Sequence, residues 1–137
     1  MNILFFLTPK ASCAHVFDDD SVREALQRME LSGYSALPIL SHDGEYCGTL
    51  TEGDLLWGLK KQCDMDIHKA EQHCIMDIPR RHDNAAVRVD TQMRDLLGKA
   101  LDQNFVPVVD DRGSFIGLVT RKSLMQYFQS QFPELWQ

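Results

Sequence analysis

The chain has 137 residues, 44% of them hydrophobic and 25% charged, a balance that supports a packed core and excludes extended disorder. Its formal net charge of −6 argues against a nucleic-acid surface, which needs clustered Lys and Arg to neutralise phosphates. Cys13, Cys47, Cys63 and Cys74 show no C-x-x-C spacing and read as free thiols of a reducing compartment, while the apolar start Ile3–Leu7 has neither the basic flank nor the length of a signal peptide or a membrane span. The expectation is a soluble cytoplasmic protein with no membrane and no nucleic-acid partner.

In chain order, Phe5-Phe6-Leu7-Thr8-Pro9-Lys10 opens with apolar residues ahead of Pro and a base. Val22, Ala25, Leu26 and Met29 then recur at i, i+3, i+4 and i+7, one face of a helix. Ser21-x-x-Glu24 before it has the form of a capping box, and Gly33 stands where a C-cap glycine is expected. The short apolar run Leu37–Leu40, a turn at Asp43-Gly44 and the run Tyr46–Thr51 predict a β-hairpin. A second helix is expected from about Glu52, followed by a polar stretch, Gln62–Cys74, with room for one or two helical turns on the surface.

The same order then returns. Ile75-Met76-Asp77-Ile78-Pro79-Arg80 falls over the opening segment at an offset of 70, and Pro38, Gly44, Gly48, Thr51 and Leu55 fall over Pro107, Gly113, Gly117, Thr120 and Leu124 at a constant offset of 69. Met93, Leu96, Leu97, Ala100 and Leu101 supply the helix face, Val106–Val109 and Phe115–Thr120 the hairpin, and Arg121 starts the closing helix. An α/β (α+β) fold of tandem β-α-β-β-α repeats is therefore expected, with copies over residues 5–61 and 75–128, a linker over 62–74 and a tail over 129–137 in which Phe132 and Trp136 suggest docking. One such unit buries little surface alone, so the copies should pack together into one compact module.

Toward its end each copy carries Gly-x-apolar-Thr, as Gly48-Thr49-Leu50-Thr51-Glu52-Gly53-Asp54 and Gly117-Leu118-Val119-Thr120-Arg121-Lys122-Ser123. With the apolar-Pro-apolar strand and the glycine turn, this resembles the CBS-domain pair, or Bateman module, across nearly the whole chain from Phe5 to Phe128. The resemblance is to a stand-alone bacterial pair without an attached catalytic or membrane segment. The second copy departs from the family pattern in placing Ser123 where Asp is frequent. The resemblance implies a pseudo-two-fold arrangement, an adenine nucleotide bound in a crevice between the repeats, and a homodimer formed through the closing helices, which carry Leu55, Leu56, Trp57 and Leu59 in one copy and Leu124, Met125, Tyr127 and Phe128 in the other.

Thr51 ends a strand at a helix N-terminus, where free amides and the helix dipole favour phosphate, and Asp54 could accept both hydroxyls of a ribose. Both residues equally suit a helix start with no ligand, since Thr is a good N-cap and a first-turn Asp gains from the dipole. By resemblance, Tyr34, Ser35 and Ala36 line the purine pocket, with Ala14 on the same wall and Thr49 in the motif strand; an ordinary helix-to-strand turn explains the first three as well. Asn104, Phe105 and Thr120 are the second copy's counterparts. Arg121, a base at a helix N-terminus, opposes the dipole and so suggests a phosphate contact, with Arg80-Arg81-His82 as a second candidate.

Cys63, His68, His73 and Cys74 match no zinc spacing, and His68 and His73 are off one helical face, so no metal and no cofactor are expected. No Ser-His-Asp order, paired-acid motif or Gly-rich phosphate loop gives catalysis a foothold. The sequence reading is thus a non-enzymatic sensor of AMP, ADP, ATP or cyclic di-AMP that signals to an unknown protein partner. The alternative is a dimerisation scaffold whose ligand sites have degenerated.

Overall fold

The computed structural model describes residues 1–137. In chain order it contains β1 (Thr8–Pro9), β2 (Val16–Phe17), α1 (Val22–Ser32), β3 (Ala36–Leu40), β4 (Tyr46–Thr51), α2 (Glu52–Gln62), α3 (Ile67–Ala70), β5 (Val87–Arg88), α4 (Met93–Asp102), β6 (Phe105–Val109), β7 (Phe115–Thr120) and α5 (Arg121–Gln131), with short 3-10 turns between them. No helix is long and apolar enough to cross a membrane. The chain divides into two compact units, one of Ala14–Asp83 and one of Met1–Cys13 with Asn84–Gln137.

In the unit Ala14–Asp83, β2 pairs parallel to β3, and β3 antiparallel to β4. Ser21 Oγ accepts the Glu24 amide at 3.0 Å to start α1, and Gly33, at φ 73°, ends it in the left-handed conformation that suits glycine. Val22, Ala25 and Met29 turn their helix face onto Leu37, Ile39 and Leu50 of the sheet, with Leu55 of α2 completing the core. The polar stretch after α2 is less superficial than its composition suggests. Cys63 and Ala70 are fully buried in this core, because α3 folds the segment back across α1.

The second unit repeats the plan: β5 runs parallel to β6, β6 antiparallel to β7, and α4 and α5 contribute Leu96, Ala100 and Leu124 to the core. The hairpin register shifts at the same place in both units, between Ile39 and Leu40 and between Val108 and Val109. The spatial units are offset from the sequence repeats, however. Ile3 and Phe6, at the two ends of a 3-10 turn, are buried in the core of the second unit, and Ile75 and Ile78 sit alike in the first. Burial therefore superposes Ile3 on Ile75, where the residue pattern had superposed Phe5.

Gly48 and Gly117 share φ values of 151° and 152° and serve one purpose, the close approach of an incoming segment. At Gly117 that segment is β1, which adds a fourth strand antiparallel to β7. At Gly48 it is the carboxylate of Asp83, whose Oδ1 accepts the Thr49 amide at 2.8 Å. In the tail, Phe132, Leu135 and Trp136 remain 45–70% exposed, and the last turn folds against α5.

Candidate functional site

The site grows from the junction of β4 and α2. Thr51 is extended, which lets its side chain turn back onto the helix: its Oγ1 accepts the Asp54 amide at 3.0 Å. Asp54 Oδ2 in return accepts the Thr51 amide at 3.1 Å, closing a full capping box. The other carboxylate oxygen, Oδ1, accepts the Arg81 amide at 3.2 Å. Asp54 is only 2% exposed, so its charge is carried by these amides and by the helix dipole.

The hairpin register brings the predicted purine-side residues to the same junction. Ala36 lies opposite Thr51, and the Ser35 carbonyl accepts the Glu52 amide at 2.9 Å. Tyr34 is 63% exposed, its ring available to stack. Ala14 is half-buried against the unit's core. Thr49 is buried, with its Oγ1 2.7 Å from the Tyr46 hydroxyl. Burial is the main reason that the Tyr46 hydroxyl is pushed up to about 12.

Beside Asp54 lies a pocket of about 280 Å³ lined by Asp54, Trp57, Gly58, Lys61, Gln62, Pro79, Arg80 and Arg81. Residues 54, 57, 58 and 61 form one face of α2, and Lys60 and Lys61 place their ammonium groups 5.4 and 5.9 Å from the Trp57 ring centre. Arg80 grips Asp83 with both ends of its fork, Nε to Oδ1 at 2.9 Å and Nη2 to Oδ2 at 3.1 Å. Burial works to raise the Asp83 carboxyl, but the Arg80 fork and the Thr49 amide outweigh it and hold it below the usual range. The reading of the sequence named Arg80 and Arg81 as phosphate candidates, gave Trp57 to the dimer face and did not single out Lys61 or Asp83. The i, i+3, i+4, i+7 spacing of Asp54 with the three helical residues was a usable signal; the single Asp after a basic run was not.

The counterpart residues in the other unit are arranged differently. Thr120 Oγ1 caps α5 through the Ser123 amide at 3.0 Å, and Ser123 Oγ donates to the Thr120 carbonyl at 2.8 Å. Arg121 Nε donates to the Ala100 carbonyl at 2.7 Å and Nη2 to Leu101 at 3.4 Å. These are carbonyls of the last turn of α4, where a cation is favourable, so the cost of a base at the start of α5 is offset at the end of α4. The Asn104 carbonyl accepts the Arg121 amide at 2.9 Å. Phe105 is buried opposite Thr120, and its carbonyl accepts from Asn84 Nδ2 at 3.1 Å.

Cys63, His68, His73 and Cys74 do not gather: Cys63 is in the core and Cys74 Sγ donates to the Asp18 carbonyl at 3.1 Å. Asp18, Asp19 and His42 do bring ligand atoms within 4.8 Å of one another at the surface. There His42 Nε2 is 2.7 Å from Asp19 Oδ1, an ion pair when the ring is protonated.

The CBS-domain family model matches residues 9–61 and 75–130, and the chain belongs to that family. Among solved structures, a CBS domain protein from Streptococcus pneumoniae superposes with a TM-score of 0.84 at 26% identity, covering 93% of this chain and 86% of that one. CbpB from Listeria monocytogenes, in complex with c-di-AMP, gives 0.84 at 20% identity over 97% and 98%. CBSX2 in complex with AMP gives 0.74 at 23% identity over 94% and 96%. The curated proteins contain no match to the sequence.

Proposed function

We propose that the chain is a regulatory, non-catalytic module that binds an adenine nucleotide at the β4–α2 junction of the unit Ala14–Asp83 and transmits occupancy to a protein partner. The observation that carries this reading is the meeting of Thr51, Asp54 and the Tyr34–Ala36 turn at one helix N-terminus beside a pocket with Lys61 and Arg81 in its wall. A ribose suits Asp54, a base suits the exposed Tyr34 ring, and phosphate suits the pocket's cations. Arg121 reaches a phosphate only with the donors left over from α4. The ligands of CbpB and CBSX2 support the class, an adenine nucleotide.

A second reading has its own observation. Both Asp54 oxygens already accept backbone amides, which accounts for the Thr51–Asp54 pair in a pure scaffold. A thermal-shift panel of AMP, ADP, ATP and cyclic di-AMP separates the two, since a ligand that binds only the native state raises its stability. The sensor reading expects a rise in Tm of several degrees with at least one of them. No shift with any nucleotide would favour the scaffold.

We also propose that the chain forms a homodimer through its closing helices. Leu55 and Leu124 are spent on the cores, but Leu56, Trp57 and Met125 remain 50%, 38% and 49% exposed on α2 and α5, more apolar surface than a solvated helix needs. Light scattering at tens of micromolar should give twice the chain mass. A monomer with and without nucleotide would sink this part.

A further inference from the structure

Asp54 lines the pocket yet offers it almost no surface: the residue is 2% exposed and both carboxylate oxygens already accept backbone amides, so little of the carboxylate is left for a ribose hydroxyl. Part of the cover is the segment Pro79–Asp83, whose first three residues line the same pocket and which sets the Arg81 amide on Asp54 Oδ1 at 3.2 Å. The segment is fastened a second time at its far end. Asp83 Oδ1 accepts the Thr49 amide at 2.8 Å on the free side of β4, in a space that only a glycine at position 48 leaves open, since a Cβ there would lie 2.6 Å from that oxygen. Arg80, whose side chain is 15% exposed, chelates the same carboxylate and ties the two ends of the segment together.

We infer that Asp54 and Asp83 form a two-point latch on Pro79–Asp83, and that a nucleotide gains Asp54 only as this latch opens. The inference rests on the nucleotide reading above for its ligand, but the latch itself does not. Its physical content is a closed state that dominates without ligand, so the apparent affinity is the intrinsic one reduced by the open fraction. The segment leads directly out of the unit at Asp83, so opening changes the chain exactly where one unit hands over to the next. Occupancy of Asp54 is thereby converted into freedom of the connection.

The test is hydrogen exchange of the full chain with and without AMP or cyclic di-AMP, in wild type, Asp83→Ala and Arg80→Gln, with affinities by calorimetry. Asp83 is 41% exposed at its side chain, so its removal should leave the fold intact. In the absence of nucleotide, the Thr49 and Arg81 amides should exchange at least about tenfold faster in Asp83→Ala, and by an intermediate factor in Arg80→Gln. The nucleotide that binds should speed exchange at Arg81 in wild type and should bind Asp83→Ala severalfold more tightly, because less of the population is closed. Unchanged apo exchange in Asp83→Ala refutes the latch. Bound nucleotide that leaves Arg81 as protected as before, or weaker binding by Asp83→Ala, refutes the coupling. Absence of binding by both nucleotides removes the coupling together with the nucleotide reading, while the apo exchange still decides the latch.

Discussion

Asp54→Ala is expected to lower the unfolding free energy by about 2–4 kcal/mol, the sum of a lost cap partner and a lost charge-assisted hydrogen bond at a buried position. The carboxylate accepts the Thr51 amide on one oxygen and the Arg81 amide on the other, and alanine leaves both donors without a partner. The comparison variant is Ser123→Ala at the matching position of the second unit. Its hydroxyl serves one neighbouring carbonyl, Thr120, at the start of α5, and its loss should cost about 1 kcal/mol or less. Urea unfolding of the two variants checks the difference. Equal losses would mean that the Asp54 carboxylate does not hold the junction together.

Gly117→Ala should be the more damaging of two matched glycine substitutions. A Cβ at Gly117 would stand 2.2 Å from the Thr8 carbonyl oxygen and 2.9 Å from Leu7 Cδ1. The first of these is backbone in β1, which can yield only by giving up its pairing with β7. Overpacking and the unfavourable φ each contribute about 1–3 kcal/mol, and the expected loss is about 3 kcal/mol or more. Gly48→Ala carries the same backbone strain, but its Cβ meets the Asp83 side chain, which can swing away once the Thr49 amide is released. Its loss should be smaller by about 1–2 kcal/mol. Thermal and urea unfolding of both variants measure this, and a Gly48→Ala as unstable as Gly117→Ala would contradict the assignment of β1 as the immovable neighbour.

The repeats were legible because their signals are local. Val22–Met29 and Met93–Leu101 show helical spacing, Pro38 and Pro107 mark equivalent strands, and Gly33 ends α1 where the sequence places a C-cap. What was not legible depends on contacts between residues far apart in the chain. Nothing near Ile3 and Phe6 indicates that they complete a core built from Val87–Leu124, and a four-residue 3-10 turn is too short to show a period. For Arg121 the conflict with the α5 dipole is visible in the sequence, whereas the α4 carbonyls that accept its guanidinium lie 20 and 21 positions away. Asp83 was silent for the same reason, since its partners Thr49 and Gly48 are set by the fold. Thr51 and Asp54 stand out in the sequence because a motif of four residues contains both, and the structure adds that they hydrogen-bond to each other.

The central claim, that Asp54 receives the ribose of an adenine nucleotide, is tested most directly by calorimetric titration of AMP and 2′-deoxy-AMP into wild type and Asp54→Asn, which keeps the side-chain shape and removes the charge. If cyclic di-AMP proves to be the ligand in the thermal panel, it and its 2′-deoxy analogue take the same places. Charge-assisted hydrogen bonds of about 1.5–3 kcal/mol predict that Asp54→Asn weakens ribonucleotide binding by about one to two orders of magnitude. The 2′-deoxy ligand should bind wild type more weakly than the ribonucleotide, yet lose little more in the variant, because the two changes remove the same contact. Equal binding of the ribonucleotide by wild type and Asp54→Asn would contradict the account and leave Asp54 as a helix-capping residue alone.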